Sequence, residues 1–303
     1  STPAWTWCGS GTTTAGVEEN FGRYNTYARD VDVLACGAPY YAIFWAAGND
    51  RGDNPAAGAQ VALTPGGTAE SYNAAVHPAG DGVYRGGYET IGFCALGKNV
   101  VTVGAVNDAV TSGRRDPAKA VMTGFSSWGP ADDGRIKPDI VANGASLYST
   151  YTGGDAIYGT LSGTSMATPS AAGTAQQLVS YHAALFPGQY MRAATLKGLL
   201  IHTADDLGTP GPDYANGWGL VNARAAADLL AEAATNAAAP RLAEQTLATG
   251  APVGLHSFYC GGITPIRVTL SWTDPPGAAT SEHDLRTPRL VNNLNLKVVG
   301  PDG

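Results

Sequence analysis

The sequence predicts an α/β domain with a parallel sheet and helices on both faces, followed by part of an antiparallel β-sandwich. Three patterns lead there. Short apolar runs bounded by turn residues alternate with longer helical stretches, as strands and crossover helices do in a parallel sheet. The helical pattern stops near Ala237-Ala-Ala-Pro240. Beyond it, polar and apolar residues alternate between turn clusters, as in a half-buried antiparallel sheet.

The elements follow in order. A mixed polar and apolar stretch, Glu18 to Asp32, reads as a helix. Tyr41-Ala-Ile-Phe-Trp-Ala-Ala47 lies between Pro39 and Gly48, and Asn99-Val-Val-Thr-Val-Gly-Ala-Val106 is a second such run. Both read as strands buried on two faces. Asp139-Ile-Val-Ala142 is a shorter strand candidate. Helices are expected from Ser165 to Leu185, Met191 to Thr203, and Asn222 to Ala234, the last rich in Ala and Leu. The first domain is therefore expected over residues 1–239 and the second over 240–303. In the second, His256–Cys260, Ile266–Trp272 and Asn293–Val299 alternate, with Asp274-Pro-Pro-Gly277 as a turn between them.

The bulk numbers agree. The 303 residues, 44% hydrophobic and 14% charged, suffice for a large core plus a second domain. The 40 glycines and 19 prolines are spread along the chain, which suits loop-rich globular structure rather than disorder. The formal net charge is −7 and no basic stripe appears, so nucleic acid is not an expected partner. No stretch has the length of a membrane helix, so no membrane partner is expected either. Cys8, Cys36, Cys94 and Cys260 form no CxxC pair, which argues against zinc. Buried thiols and one or two disulfides both remain open. The chain opens on Ser-Thr-Pro-Ala-Trp and closes on the turn sequence Pro-Asp-Gly, and it reads as a piece of a longer polypeptide.

The strongest chemical signal is Ser162-Gly-Thr-Ser165-Met-Ala-Thr-Pro169. A serine nucleophile must be exposed, held still, and placed where backbone N–H groups meet a developing oxyanion. A turn running straight into a helix meets all three needs. Gly163 allows close approach of a substrate carbonyl. Pro169 is expected in the first turn, where N–H groups lack intrahelical partners. Ala167, Ser170, Ala171, Ala172 and Gly173 would let that helix bury tightly. A capped helix entering the core is the plainer explanation for a lone Gly-x-Ser, but not for the whole motif.

This motif resembles the serine motif of the subtilisin-like peptidases (subtilases), and the resemblance continues in register. Ala46-Ala-Gly-Asn49 resembles the segment that ends in the oxyanion-hole asparagine. Phe125-Ser-Ser-Trp-Gly-Pro130 resembles Phe-Ser-Ser-Arg-Gly-Pro, with Trp128 in place of Arg. Asp133-Gly-Arg-Ile-Lys-Pro-Asp139, then Val141-Ala-Asn-Gly144, resembles Lys-Pro-Asp-x-x-Ala-Pro-Gly, with Asn143 in place of Pro. Asn216-Gly-Trp-Gly219 resembles the closing Gly-x-Gly element. Val268–Asp274 and Leu290–Leu296 look like the C-terminal β-domain of some alkaline subtilases, with Asn293 and Asn295 at two usually acidic positions. The resemblance implies a secreted serine endopeptidase, acting as a monomer on peptide or protein substrates. Ser165 would be the nucleophile, and the Asn49 amide with the Ser165 N–H would form the oxyanion hole. Thr6, Trp7 and Gly9, in Thr6-Trp-Cys-Gly9, would pair with extended substrate as an added strand. Ala46, Ala47 and Gly48 would wall the pocket for the residue before the scissile bond, and Gly163 and Thr164 would touch substrate beside Ser165.

A serine peptidase of this kind also needs a base and a carboxylate to orient it. In subtilisin they come in the order Asp, His, Ser, so both belong upstream of Ser165. The family's Asp-Thr-Gly and His-Gly-Thr motifs do not occur in the sequence. His77, His182, His202, His256 and His283 lack the flanking residues of a catalytic histidine, and His202 is placed for a helical surface contact with Asp205 or Asp206. Three readings follow: the serine-bearing part of an endopeptidase, a catalytically dead peptide-binding homologue, or a protease whose β-domain is a separate binding module, for example for carbohydrate. No cofactor is required for the chemistry. Structural calcium is the expected ion, with Asp50, Asp53 and Asp108 as candidates in the first domain and Asp274 with Asn292 in the second. The 303-residue chain by itself is expected to show no useful peptide hydrolysis, and robust turnover of a casein substrate would contradict this.

Overall fold

The run Val101–Val106 is the central strand of the computed structural model, and all six of its residues are buried. The structure describes residues 5–6, 20–52, 58–62, 67–73, 87–236, 241–248, 250, 256–258 and 265–300. In chain order the elements are β1 (Trp5–Thr6), α1 (Thr26–Gly37), β2 (Phe44–Ala46), β3 (Gln60–Ala62), β4 (Glu70–Ser71), β5 (Val101–Val106), β6 (Val110–Thr111), β7 (Arg114–Arg115), β8 (Ile140–Asn143), β9 (Leu147–Thr150), β10 (Tyr158–Leu161), α2 (Thr164–Leu185), α3 (Ala193–Thr203) and α4 (Ala223–Thr235).

β2, β5 and β8 form a parallel sheet in that order. Phe44 faces Val101 across one pair, and Val103 faces Ile140 across the other. Side chains alternate across a strand. Val101, Val103 and Ala105 therefore share one face, where they pack with Ala167, Ala171 and Ala175 of α2. Those three alanines repeat every four residues, so the small residues of the serine motif form the stripe that meets the sheet. Leu196, Leu199 and Leu200 of α3 and Leu230 of α4 complete this core. Thr102 points the other way and donates to Ala95 O at 2.6 Å. On that side Ala28 of α1 packs with Tyr24, Ala47, Ala95 and Leu96. Helices thus cover both faces, as the sequence predicts.

Several expectations need adjustment. The first helix begins at Thr26, because Asn25 caps it by accepting from Tyr27 N and Ala28 N, and it runs on to Gly37. The strand expected over Tyr41–Ala47 shrinks to Phe44–Ala46, and Trp45 is 41% exposed. β2 lies at the edge of this sheet among the described residues, so the expected burial on both faces holds only in part. Pro169 lies inside α2, five residues after its first residue, rather than in the first turn. Its missing N–H would have bonded the Ser165 carbonyl.

Buried charge ties the sheet to α3. Asp139 accepts from Thr102 N at 2.8 Å, Lys137 Nζ at 2.7 Å and Lys197 Nζ at 2.7 Å. Burial alone would raise Asp139, but Lys137 and Lys197 hold its carboxyl below the usual range. Burial pushes the Lys137 ammonium down, against the pull of Asp139. Lys137 also donates to Thr102 Oγ1 at 2.8 Å. The Lys-Pro-Asp segment is thereby fastened at the start of β8.

The C-terminal stretch departs furthest from expectation. Ile266–Trp272 and Asn293–Val299 form no strand ladder among the described residues, and Tyr259 and Cys260 lie outside them. Backbone groups of an antiparallel strand need a paired neighbour, and among the described residues no such neighbour faces them. This stretch instead docks on the first domain through a buried polar knot. Asp32 accepts from Tyr24 Oη, Lys98 N, Asn99 N and Asn99 Nδ2. Asn99 in turn donates to Asp274 O and accepts from Asp274 N, both at 2.9 Å. The Asp274 carboxylate takes Val291 N at 2.9 Å, Asn292 N at 2.8 Å and the Lys98 ammonium.

Replacing Asp274 by Ala strands the Lys98 ammonium, whose side chain is 3% exposed. The change is expected to lower unfolding free energy by about 3–5 kcal/mol, measured by urea denaturation. A loss under about 1 kcal/mol would show that the knot does not hold the two segments together.

Candidate active site

The C-terminal ends of parallel strands are where α/β sheets gather functional groups, and two loops meet there. The first leaves β2. Ala47 N donates to Val103 O at 3.0 Å, and Gly48 follows at φ +110°. A side chain on Gly48 would strike Asp50 and Ser127. Ser127 holds this loop: its N–H donates to Gly48 O at 2.9 Å, and its Oγ accepts from Asp50 N at 3.1 Å. Arg51 then stacks on Trp128, 4.0 Å from the ring centroid. Trp128, the departure from the usual arginine, therefore supplies an aromatic face for the loop that carries Asn49.

The second loop leaves β8. Gly144 N donates to Val106 O at 2.9 Å, the β9–β10 hairpin follows, and Gly163 N returns to Gly144 O at 2.8 Å. α2 then begins. The first N–H groups of a helix have no carbonyl of their own turn to bond, and Gly163 gives no side-chain cap. Asn49 from the other loop supplies the acceptor. Its Oδ1 takes Thr164 N at 2.9 Å and Thr164 Oγ1 at 3.0 Å, while Thr164 Oγ1 takes Gly48 N at 3.3 Å.

With Oδ1 occupied in this way, the other end of the Asn49 amide is turned toward the serine. A Cβ built on Gly163 would lie 3.6 Å from Asn49 Nδ2 and 3.7 Å from Ser165 N. The Asn49 amide nitrogen, Ser165 N and, also at 3.6 Å, Met166 Sδ thus border the space that residue 163 leaves by having no side chain. Gly163 also sits at φ +154°. Ser165 is exposed at the N-terminal end of α2, the positive end of the helix dipole. The arrangement presents a hydroxyl with two N–H groups near it, suited to an anionic oxygen that develops on a carbonyl carbon attacked by the hydroxyl.

The other sequence candidates divide. Ser165, Asn49, Gly48, Gly163 and Thr164 come together. Thr164 is fully buried and bonded inward, so it positions Asn49 instead of offering its side chain to substrate. Ala46 lies in β2 beside them, but the Ala47 side chain is 1% exposed and packs on Tyr24. It belongs to the core beside the site, not to a pocket wall. Thr6 lies in β1, paired in parallel with Ala62. Trp7 and Gly9 lie outside the described residues.

No described histidine serves Ser165. His182 is buried on α2 against Phe186, with ring centroids 4.7 Å apart, and burial pushes its pKa down. His202 Nδ1 bonds Thr269 Oγ1 at 2.9 Å, so the expected contact with Asp205 or Asp206 is replaced by one to the C-terminal stretch. Burial, then the Arg267 charge, lowers His202 as well. Asp205 pairs with Arg115 instead. His256 and His283 are exposed, and His77 lies outside the described residues.

The expected calcium ligands also fail to assemble. Asp108 is exposed, Asp53 lies outside the described residues, and the Asp50 carboxylate receives the Ser127 hydroxyl at 3.3 Å. Asp274 and Asn292 do meet, but through Asn292 N, and Lys98 already neutralises the carboxylate. An ammonium in that position repels a cation, so this pair is not an ion site. Ser127 and the anchoring role of Thr164 escaped sequence reasoning. Only the Phe125–Pro130 segment hinted at the former.

The Subtilase family model matches residues 7–219. The chain is 33% identical over 152 residues to Subtilisin DY of Bacillus licheniformis, covering 50% of this chain and 46% of that protein. It is 35% identical over 113 residues to Serine protease AprX of Bacillus subtilis (strain 168), covering 33% of this chain and 25% of the relative. The chain spans less than half the length of these curated relatives. Among solved structures, that of the Clostridium perfringens CspB protease aligns with 48% of this chain and 29% of its own, at 26% identity and a TM-score of 0.40.

Replacing Thr164 by Val removes the hydroxyl that joins Asn49 Oδ1 to Gly48 N. It is expected to cost about 1–2 kcal/mol in urea denaturation, and Thr164→Ser should recover most of the loss. Equal losses for Ser and Val would show that the hydroxyl bonds do not matter.

Proposed function

The chain belongs to the subtilase family, and from that premise we propose that it is the serine-bearing part of an endopeptidase working through an acyl-enzyme at Ser165. The observation that carries this is the convergence of Asn49 Nδ2 and Ser165 N, 3.6 and 3.7 Å from one point. A tetrahedral intermediate formed by Ser165 would place its oxyanion between these donors. Because both are fixed before substrate arrives, they stabilise the new charge without reorganising. A module that only bound peptides would have no use for such a pair.

The base that takes the Ser165 proton is not among the described histidines. In the order Asp, His, Ser the base and its carboxylate precede the serine. The active form proposed here is therefore a longer polypeptide, and the chain alone is inactive. Its substrates are peptide or protein chains, bound in extended form beside the edge segments near β1 and β2. The enzyme is proposed to act as an extracellular monomer. Among the described residues no helix is long and apolar enough to cross a membrane.

In the polypeptide that includes the preceding sequence, a fluorophosphonate probe should label Ser165, and Ser165→Ala should abolish labelling. Failure of the folded protein to label would favour the catalytically dead homologue. Asn49→Leu should lower kcat by about 10²–10³ with little change in KM, a magnitude taken over from subtilisin's own oxyanion asparagine. An unchanged kcat would remove Asn49 from the oxyanion hole.

A further inference from the structure

Thr164 fixes the Asn49 side chain, but a side chain is aimed only as well as the backbone that bears it. One residue holds the peptide groups on both sides of Asn49. Ser127 N donates to Gly48 O at 2.9 Å, just before Asn49, and Ser127 Oγ accepts from Asp50 N at 3.1 Å, just after it. The hydroxyl also donates to Asp50 Oδ2 at 3.3 Å. A serine hydroxyl has one proton to give. With that proton on the Asp50 carboxylate and a lone pair on Asp50 N, the Ser127 hydroxyl has one orientation. Beyond it, Arg51 N donates to Phe125 O at 3.4 Å, so the Asn49 loop runs alongside the Ser127 segment.

Ser127 can serve as a clamp because its own segment is fastened at each neighbouring residue. Ser126 Oγ accepts from Ala105 N of β5 at 3.0 Å, and Trp128 N donates to Thr90 Oγ1 at 3.0 Å. Gly129 N is shared between Lys137 O and Tyr214 O, both at 3.0 Å. The segment is thus tied to the central strand and to the loops around it. Ser126 and Ser127 are fully buried. The fit against the Asn49 loop is close, since a Cβ on Gly48 would lie 2.8 Å from Ser127 Oγ and 3.3 Å from its Cβ.

We propose that Ser127 is a positioning residue for the reaction at Ser165: it sets the backbone of the Asn49 loop so that the amide N–H keeps its aim beside the serine. This rests on the endopeptidase reading of the site. Being fully buried, Ser127 cannot touch substrate, and it acts through Asn49. Without its hydroxyl, Asp50 N and the Asp50 carboxylate lose this partner, and the peptide after Asn49 gains freedom to turn. The Thr164 bonds to Asn49 Oδ1 remain, so the donor is displaced and not lost. A catalytic group works fully only within about 0.5 Å of its productive position, and about 1 Å of misplacement costs up to about a hundredfold. A partial displacement is therefore expected to cost about tenfold.

The test uses the longer polypeptide that includes the preceding sequence, with kcat and KM measured on a peptide substrate and the active fraction titrated with a fluorophosphonate. Ser127→Ala should lower kcat about tenfold with KM unchanged within about twofold. In the Asn49→Leu background the same change should lower kcat by less than about twofold, because the donor that Ser127 aims is already gone. A role in stability alone would lower Tm and the active fraction equally in both backgrounds and leave kcat per active site unchanged. Ser127→Cys, which keeps the volume but bonds weakly, gives the same reading if the alanine variant does not fold. An equal loss of kcat in both backgrounds, or no loss while Asn49→Leu still lowers kcat, would overturn the proposal and leave the endopeptidase reading standing. If Asn49→Leu itself leaves kcat unchanged, the oxyanion reading falls and this proposal falls with it.

Discussion

The candidate site depends on one unmet need, that of the first amide of a buried helix. α2 must lie flat on the sheet to bury Ala167, Ala171 and Ala175. Its first N–H, on the buried Thr164, then faces protein instead of water, and Gly163 offers no side-chain cap. The Asn49 carbonyl oxygen meets that need by accepting from Thr164 N. An amide that gives up its oxygen in this way has its nitrogen set in one direction. The same bond therefore caps the helix, joins two loops that are far apart in sequence, and aims a donor beside Ser165. Preorganisation here is a by-product of satisfying the backbone.

Each glycine at the site answers to the same geometry. Gly48 leaves space for Asp50 and Ser127, and Gly144 lets its strand end pass against Ala105, Ala167 and the Gly163 carbonyl. Gly163 keeps the gap between the two donors open. A side chain at any of the three would enter occupied or functional space. Ser127 and the Arg51–Trp128 stack then hold the Asn49 loop from behind.

Elsewhere the chain is organised by buried charge. Asp139 with its two lysines fixes the approach to β8, and Asp32, Asn99 and Asp274 dock the C-terminal stretch. In both knots every carboxylate oxygen has a donor.

Much of this was legible in the residues. Ser162–Pro169 marked the candidate nucleophile, the uncharged run Asn99–Val106 marked a buried strand, and Asn49 followed from the resemblance of Ala46–Asn49 to a family segment. These signals are local: hydrophobic period, turn chemistry and a motif each act within a few residues. What the sequence could not decide was which distant groups would meet. The inward bonding of Thr164, the burial of Ala47 and the pairing of Asp274 with Lys98 all join segments far apart along the chain. The alternation over Ile266–Trp272 leaves the same question open, since a strand exists only where a partner supplies its hydrogen bonds. By itself the sequence determined the α/β class and the helix that follows Gly163, and it singled out Ser165 as the candidate nucleophile. Tertiary structure decided the aim of the Asn49 amide and the fate of each buried charge, because burial and opposing partners are properties of the packed molecule.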